Sequence, residues 1–309
     1  MKDFQKLLLL LVLMLLSSTL TFAQDEEDLL SLLGDDEPTE NLATASFKTN
    51  RIVNGHSIEN TAKGVLDFKI SHRFSALRGG PYDVFGLDGA TIRLGLDYGV
   101  SDRFNIGIGR SSKEKIIDGY VKFKLLRQQT GKRNIPLTLV YLSDMQIKTI
   151  RFTQTDRENY FAHRLYYTHQ LLLGRKFNEA ITLQLMPTLV HRNLTLNPSD
   201  KNDVLAMGIG GRIKLSKRVA LNAEYYYVLP DQLAQNYANS LSIGFDIETG
   251  GHVFQLHFTN SQDMTYKGFI TETQEDWFFE DTEGNLISGL RFGFNISRVF
   301  TIVKPKEFY

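Results

Sequence analysis

The sequence contains no cysteine, which excludes disulfide cross-links, thiolate metal sites and a lipid-modified N-terminal cysteine. Its 35 basic and 35 acidic residues leave no net charge, so nothing in the composition suggests a nucleic-acid partner. Beyond the N-terminus there is no run of ~18 apolar residues, and a transmembrane helix is therefore not expected. A chain of 309 residues can form one large domain or two small ones.

The first 23 residues have the pattern of a secretory signal peptide. Lys2 and Lys6 precede an apolar run over residues 7–16, and Thr21-Phe22-Ala23 follows. The apolar run is too short to span a bilayer, and small residues at Thr21 and Ala23 suit a signal peptidase. We therefore predict a signal peptide over residues 1–23, cleaved after Ala23, in preference to an uncleaved anchor.

Residues 24–63 are predicted to be an acidic, flexible periplasmic segment, because its acidic first part cannot bury enough apolar surface to fold alone. Within it, Asp28 to Gly34 can form one or two helical turns, which are marginal in water. These turns represent either residual helicity or a docking peptide for a periplasmic protein partner. Residues 47–60 are either a plain linker or a segment held in the periplasmic mouth of the domain that follows.

From Gly64 onward, apolar and polar residues alternate almost continuously, which is the pattern of two-faced β-strands. The clearest unit is residues 204–229, where two strands of ~10 residues flank a short turn at 216–218. That length suits a tilted strand crossing a membrane. Twelve such strands are expected, with residues 135–146 the least clear because they are apolar on both faces.

Connection lengths alternate between short turns, such as 101–103 and 249–251, and longer loops, such as 75–89 and 260–287. Transmembrane β-barrels are connected in this way, and an even strand count places both termini on the short-turn, periplasmic side. The predicted fold class is all-β, an antiparallel transmembrane β-barrel of about 12 strands over residues 64–309. Its predicted location is the outer membrane, with outer-membrane lipid around it.

Two features predict that the apolar faces of the strands point outward. These faces carry no charged residue, and a charge there costs ~2–4 kcal/mol at the bilayer midplane. The opposite faces carry glycines such as Gly95, Gly107 and Gly208, which make room for long side chains inside a closed barrel. A secreted soluble barrel or sandwich is the alternative.

The polar faces then define the predicted lumen. Its lining residues are nine positive and six negative ones: Lys69, Arg73, Arg93, Lys122, Lys124, Arg164, Arg212, Lys214 and Arg291, with Asp67, Asp97, Asp118, Glu224, Asp246 and Glu248. Because an unpaired buried charge is far costlier than a paired one, these groups are expected to pair and to occupy much of the cross-section. A small conductance with weak anion preference follows from the surplus of three positive charges.

Several short sequences, namely RIVNGHS (51–57), DFKISHRF (67–74), DYGV (97–100) and GIGRSS (107–112), together resemble an uncharacterised outer-membrane β-barrel domain family. The resemblance covers most of the mature chain and is most specific in its first half. It implies the fold and the location. It transfers no activity and no functional residue.

Catalysis and metal binding have weak support in the sequence. His257 and Thr259 share one strand face, as a nucleophile and its base would, but no oxyanion-hole feature accompanies them, and we predict no enzymatic activity and no cofactor. Asp281, Glu283 and Asn285 alternate like ligands of a hard cation, although a solvated acidic loop is the simpler interpretation. Trp277-Phe278-Phe279 in the same loop is expected to fold into the mouth or to touch lipid.

Two functional classes remain. The protein is either a narrow channel for small solutes, or a structural or assembly barrel with a filled lumen whose N-terminal tail docks a periplasmic partner.

Overall fold

The computed structural model describes residues 40–153, 157–234, 236–280, 284 and 286–304. The predicted signal peptide, the Asp28–Gly34 peptide and the possible cation ligands Asp281, Glu283 and Asn285 lie outside the described residues. No described helix is long and apolar enough to cross a membrane.

Twelve antiparallel strands form one closed barrel, which confirms the predicted fold class and strand count. In chain order they are β1 Val65–Ala76, β2 Ala90–Ser101, β3 Phe104–Ser111, β4 Ile116–Leu126, β5 Thr138–Lys148, β6 Leu165–Lys176, β7 Ile181–Arg192, β8 Asp203–Lys214, β9 Val219–Val228, β10 Ser240–Thr249, β11 His252–Thr259 and β12 Arg291–Thr301. Each strand pairs with its sequence neighbours. The barrel closes where β12 pairs with β1, in a register that places Thr301 opposite Val65 and Arg291 opposite Ala76.

The two ends of the barrel differ in their connections. At one end, called here the short-turn end, β2–β3 and β10–β11 are joined by turns of two residues, and the start of β1 meets the end of β12. At the other, the long-loop end, the longest connection runs from residue 260 to 290 and contains a helix, α1 (Tyr266–Thr271). Two short two-stranded sheets lie outside the barrel: Glu40–Leu42 pairs with Gln129–Gly131, and Phe278–Glu280 pairs with Leu286–Ser288.

The strand faces are oriented as a membrane barrel requires. Apolar residues point outward and remain accessible in the isolated chain; Ile108, for example, is 55% exposed. Charged residues of the same strands point inward and are buried, as Asp97 is at 1% exposure. A soluble barrel would show the reverse arrangement, because its apolar faces would form the core.

Two segments of the chain fill the interior. Residues 46–61, called the inner plug, enter from the short-turn end, and most of them are buried. The α1 helix enters from the long-loop end, and all of its residues are buried. The part of the predicted flexible segment that the structure describes is therefore largely packed inside the barrel, and it reaches deeper than a position in the mouth.

Candidate functional site: the plugged lumen

The inner plug folds as a tight hairpin. Arg51 and His56 form an antiparallel bridge, the Ile52 N–H donates to the Gly55 carbonyl at 2.8 Å, and the Ser57 N–H donates to the Asn50 carbonyl at 3.0 Å. Asn-Gly is a common turn dipeptide. Position 55 also requires glycine for a steric reason, because a Cβ there would lie 2.0 Å from the Tyr226 hydroxyl.

The carboxylate of Glu224 on β9 holds the tip of this hairpin. Its Oε1 accepts the N–H of Asn54 at 2.7 Å, and its Oε2 accepts those of Val53 at 3.2 Å and Gly55 at 3.0 Å. Glu224 is 1% exposed. A buried carboxylate needs donors, and buried N–H groups need acceptors, so wall and plug satisfy each other.

Side-chain amides of the wall pair with the rest of the plug backbone. Gln255 donates to the Ile52 carbonyl at 2.9 Å, and Asn295 donates to the Val53 carbonyl at 3.0 Å. Gln184 on β7 bonds twice, since its Oε1 accepts the Ile58 N–H and its Nε2 donates to the His56 carbonyl, both at 2.8 Å. The inward face of the barrel thus acts as the hydrogen-bonding partner of a strand-like peptide.

Two plug asparagines connect to charged wall residues. The Asn54 Oδ1 accepts from the Arg73 guanidinium at 2.7 Å, and its Nδ2 donates to the Ser242 hydroxyl at 3.0 Å. The Asn50 Nδ2 donates to the Asp97 carboxylate at 2.9 Å. Arg73 and Asp97, both predicted to line the lumen, are therefore plug contacts.

Several of the predicted lumen charges form ion pairs with each other. Lys69 lies 3.1 Å from Asp97 and also pairs with Asp67. Arg93 on β2 pairs with Asp118 on β4, with Nε to Oδ1 at 2.9 Å. All five side chains are buried.

Other predicted lumen residues contact the plug or a neighbouring strand. Lys122 donates to the Glu59 carbonyl, and Arg212 donates to the Ala45 carbonyl at 2.8 Å. Asp246 accepts from Gln255 at 2.7 Å.

Four predicted residues lie towards the barrel ends. Lys124 and Lys214 are partly buried, Glu248 is exposed and pairs with Lys48 of the plug, and Arg291 pairs with Glu275 at 3.1 Å.

The structure places Arg164 differently from the prediction. It belongs to a 3-10 turn, Phe161–Arg164, that precedes β6 at the long-loop end. Its guanidinium donates to the Lys148 carbonyl at 2.9 Å and lies 3.9 Å from the centre of the Phe152 ring. Alternation was extrapolated one residue beyond the start of the strand, where the backbone is no longer extended.

The plug meets α1 in the middle of the lumen. The Tyr266 hydroxyl lies 2.7 Å from His56 Nδ1 and donates to Gln170 Oε1 at 3.0 Å. Burial, and then the positive charge of Arg51, lowers the pKa of the His56 imidazole well below its usual value, so the ring is neutral. We call this His56–Tyr266 contact the latch, since it joins the segments that enter from opposite ends.

An ion-pair cluster anchors α1 at the long-loop end. The Lys267 ammonium is 2.6 Å from Glu114 and 2.7 Å from Glu272. Burial alone would lower the pKa of Lys267, but the two carboxylates raise it overall, so the lysine stays charged. Nearby, the Trp277 indole donates to the Leu241 carbonyl at 2.8 Å, which places this ring at the rim.

One side of the lumen wall is apolar. The inward-facing Val140, Leu142, Leu172 and Met186 are fully buried and form one cluster with Ile58 of the plug. On the opposite side, a cavity of about 470 Å³ separates the plug from the wall at the short-turn end. The plug therefore fills the lumen without sealing all of it.

His257 and Thr259, the sequence candidates for catalysis, are wall residues with no third group beside them that would complete a nucleophile–base site among the described residues. Thr259 accepts from the Ser242 hydroxyl at 2.9 Å, and both it and His257 are buried inside the wall. Among the residues that the structure describes, no group of three His, Asp or Glu side chains is placed to hold a metal ion.

Sequence reasoning missed Glu224's role as the plug's main acceptor, the wall amides Gln184, Gln255 and Asn295, and the entry of α1 into the lumen. Nothing in the sequence pattern separates a plug-binding amide from a water-lined one.

No protein with a curated description matches this sequence. Among solved structures, the NanC porin has a TM-score of 0.46 at 8% identity, over 76% of this chain and 98% of that one. LpxR from Salmonella typhimurium has a TM-score of 0.36 at 10% identity, over 76% of this chain and 99% of that one. The translocator domain of the autotransporter NalP from Neisseria meningitidis has a TM-score of 0.33 at 10% identity, over 79% and 90%.

A family model described as "Membrane bound beta barrel domain (DUF5777)" matches residues 47–300, a range that takes in nearly all of the inner plug together with the barrel strands. The chain belongs to this family of membrane-bound β-barrel domains.

Proposed function

We propose that the protein is a narrow outer-membrane channel for small solutes that its own inner plug holds closed, and that passage requires the plug to leave or shift within the lumen. The observation that carries this proposal is the Glu224 carboxylate, which accepts three backbone N–H groups of the plug.

The character of the plug contacts supports a closure that can open. The plug backbone is held by hydrogen bonds from polar wall side chains, which water can replace at modest net cost. Phe47, Ile52, Val53 and Ile58 of the plug also join the buried apolar cluster, so opening has to offset the loss of that burial. The cavity of about 470 Å³ beside the plug also gives it room to move.

The path of the chain supports control from the short-turn side. Residues 40–42 pair with 129–131 at that end, and the chain then turns into the lumen. The acidic segment preceding residue 40 therefore connects directly to the plug. We propose that the Asp28–Gly34 peptide is where a periplasmic partner would act on it.

Single-channel recording in a planar bilayer tests the proposal. The intact protein should show a small or intermittent conductance, and deletion of residues 47–60 should raise it. A second variant with the same deletion, in which residues 264–272 are also replaced by a flexible linker, removes α1 as a remaining obstruction. A silent channel in both variants, with folding verified by heat-modifiable gel mobility, would overturn the proposal.

A second function is favoured by a separate observation. The α1 helix closes the long-loop half of the lumen with an apolar cluster that includes Tyr226, Phe269 and Ile270. A barrel filled from both ends can serve as a membrane anchor that presents its N-terminal tail to a partner. In either function we propose no catalysis by the barrel. Loss of a co-purifying protein on deletion of residues 24–41, with conductance absent throughout, would support the anchor.

A further inference from the structure

The barrel wall is interrupted at Pro187. Strands β6 and β7 pair in one register, with Gln170 opposite Thr188 and Leu173 opposite Leu185. All residues of both strands are described, and the ladder lacks the two pairs in between, Leu171 with Pro187 and Leu172 with Met186. Proline has no N–H to donate, which is why it is rare in central strands. Pairing of Pro187 with Met207 on the other side persists.

An outward-facing groove lies over this interruption. It has a volume of about 400 Å³, within the range of small-molecule sites, and its lining is almost entirely apolar. The residues that form it are Tyr141, His169, Leu171, Pro187, Leu189, Leu205, Met207 and Leu229, together with the inward-facing Gln170, Thr188 and Ala206. Leu205 and Leu171 are 48% and 41% exposed, so the groove opens to the bilayer.

The groove contains one polar pair. The Tyr141 hydroxyl lies 2.8 Å from His169 Nδ1, and the two rings are stacked with centres 6.2 Å apart. Both residues lie within strands and on the outward face, where polar groups are costly and usually functional. A hydroxyl and an imidazole on this face favour an occupant that can hydrogen-bond to them.

The wall behind the groove is apolar on its inner side as well. Leu172 and Met186, the residues of one missing pair, point inward and are fully buried in the cluster that includes Tyr226 and Phe269. Elsewhere on the described wall, the inward faces of β1, β2 and β4 include buried charged residues such as Lys69, Arg93 and Asp118. An apolar molecule at Pro187 would therefore meet no buried charge on either side.

We propose that the groove at Pro187 is a binding site, entered from the bilayer, for a small apolar molecule that carries one hydrogen-bonding group. The apolar lining receives the hydrocarbon part, and the Tyr141–His169 pair receives the polar group. This site is separate from the plugged lumen and does not depend on the proposed channel.

Photolabelling in vesicles tests the site. The full-length protein is reconstituted in phosphatidylcholine vesicles and exposed to an eight-carbon alcohol that carries a diazirine, and the labelled residues are mapped by mass spectrometry. Labelling should concentrate on residues 169–171, 187–189 and 205–207, should saturate, and should be displaced by unlabelled octanol far better than by octane.

Two matched substitutions complete the test. Leu205→Trp fills the groove from β8, and it should reduce labelling there about tenfold, corresponding to ~1.4 kcal/mol of binding free energy. Leu256→Trp adds the same side chain to the outward face of β11, where Leu256 is similarly exposed, and should leave labelling unchanged. Both variants add apolar surface facing lipid, so both should assemble.

The opposing results are equally clear. Even, non-saturating labelling of all outward residues would mean that ordinary lipid chains or an adventitious additive occupy the groove, and it would overturn the proposal. Equal effects of the two tryptophans, or equal displacement by octane and octanol, would do the same.

Discussion

Replacing Glu224 by glutamine should loosen the inner plug more than any other single isosteric change. The two carboxylate oxygens serve three N–H donors, one at Oε1 and two at Oε2. In glutamine, one of these oxygens is replaced by an NH2 group. The hydrogens of this group then face a plug N–H, which is itself a donor. At least one buried plug N–H is then unpaired, and the remaining bonds lose the assistance of the negative charge.

The magnitude follows from these contacts. A buried donor left without a partner costs ~1–3 kcal/mol, and hydrogen bonds to a charged group exceed neutral ones by about 1 kcal/mol each. Removing a buried charge offsets part of this loss. A net weakening of ~3 kcal/mol raises the population of the released plug by about 150-fold, since each 1.4 kcal/mol is a factor of ten.

The absence of native cysteine makes the assay clean, because a single Val53→Cys reporter can be read without background. Val53 is 2% exposed at the hairpin tip, and its N–H remains available to residue 224. The rate of reaction with a membrane-impermeant maleimide then measures how often the plug opens. The Glu224→Gln variant should react ~100-fold faster than its parent.

Asp144→Asn is the matched control. Asp144 is also a buried inward-facing carboxyl, at 4% exposure, and its Oδ1 accepts a hydrogen bond from Gln146 Nε2 on its own strand at 2.6 Å. If the two variants label at the same rate, Glu224 does not hold the plug and the reasoning fails.

Three further perturbations test other parts of the structure. In Gly55→Val, the new Cβ would lie 2.0 Å from the Tyr226 hydroxyl, so the plug should seat less well and its maleimide labelling should rise. Gly119→Ala is the control: its Cβ would have one neighbouring atom within 4 Å, at 3.7 Å, and labelling should not change. Leu256→Arg puts a charge on the outward face at a cost of ~2–4 kcal/mol near the midplane and should block assembly on a heat-modifiable gel, whereas Leu256→Met should assemble. The buried His56 has a lowered pKa, so the released plug binds a proton at this residue more readily than the seated one. The ratio of release in the parent to release in His56→Gln should therefore be constant above pH ~6.5 and increase by up to about tenfold per unit below it.

The barrel could be predicted from the sequence because its determinants are local. Side chains alternate across a strand, and the bilayer requires the outward face to be apolar. The sequence of each strand therefore shows which of its residues face the lipid. The twelve predicted strands agree with the twelve observed, and the inward charges Lys69, Arg93 and Asp118 lie where the alternation placed them.

Strand β5 shows what the pattern contained and what it could not explain. Its sequence is apolar on both faces, which made it the least clear strand. In the structure, Val140 and Leu142 point inward and pack with Ile58 of the plug. The inward apolar residues that made this strand hard to recognise are thus the ones that pack against the plug.

The position of the plug inside the lumen could not be predicted from the periodic pattern of the sequence, because the residues it contacts are distant in sequence. Residues 47–60 carry Asn, Ser and Gly in the proportions of a linker, and the Asn-Gly dipeptide marks a turn without saying what the turn touches. The acceptor for Val53 lies 171 residues away, at Glu224. Local rules predict the shape of such a hairpin, and only the closed barrel supplies its partner.

The polar side chains on the inner face of the barrel match the backbone groups of the plug. The wall of an open, water-filled lumen needs only to be polar, whereas this wall has hydrogen-bond acceptors and donors opposite particular plug groups. Glu224 accepts three plug N–H groups, and Gln255 and Asn295 each donate to one plug carbonyl. Gln184 accepts one plug N–H and donates to one plug carbonyl. The same groups would be solvated by water if the plug withdrew, so these four wall side chains have hydrogen-bonding partners in either state. The proposed channel function requires an open state close in free energy to the plugged one, and the proposed periplasmic partner would select between the two by acting on the N-terminal chain.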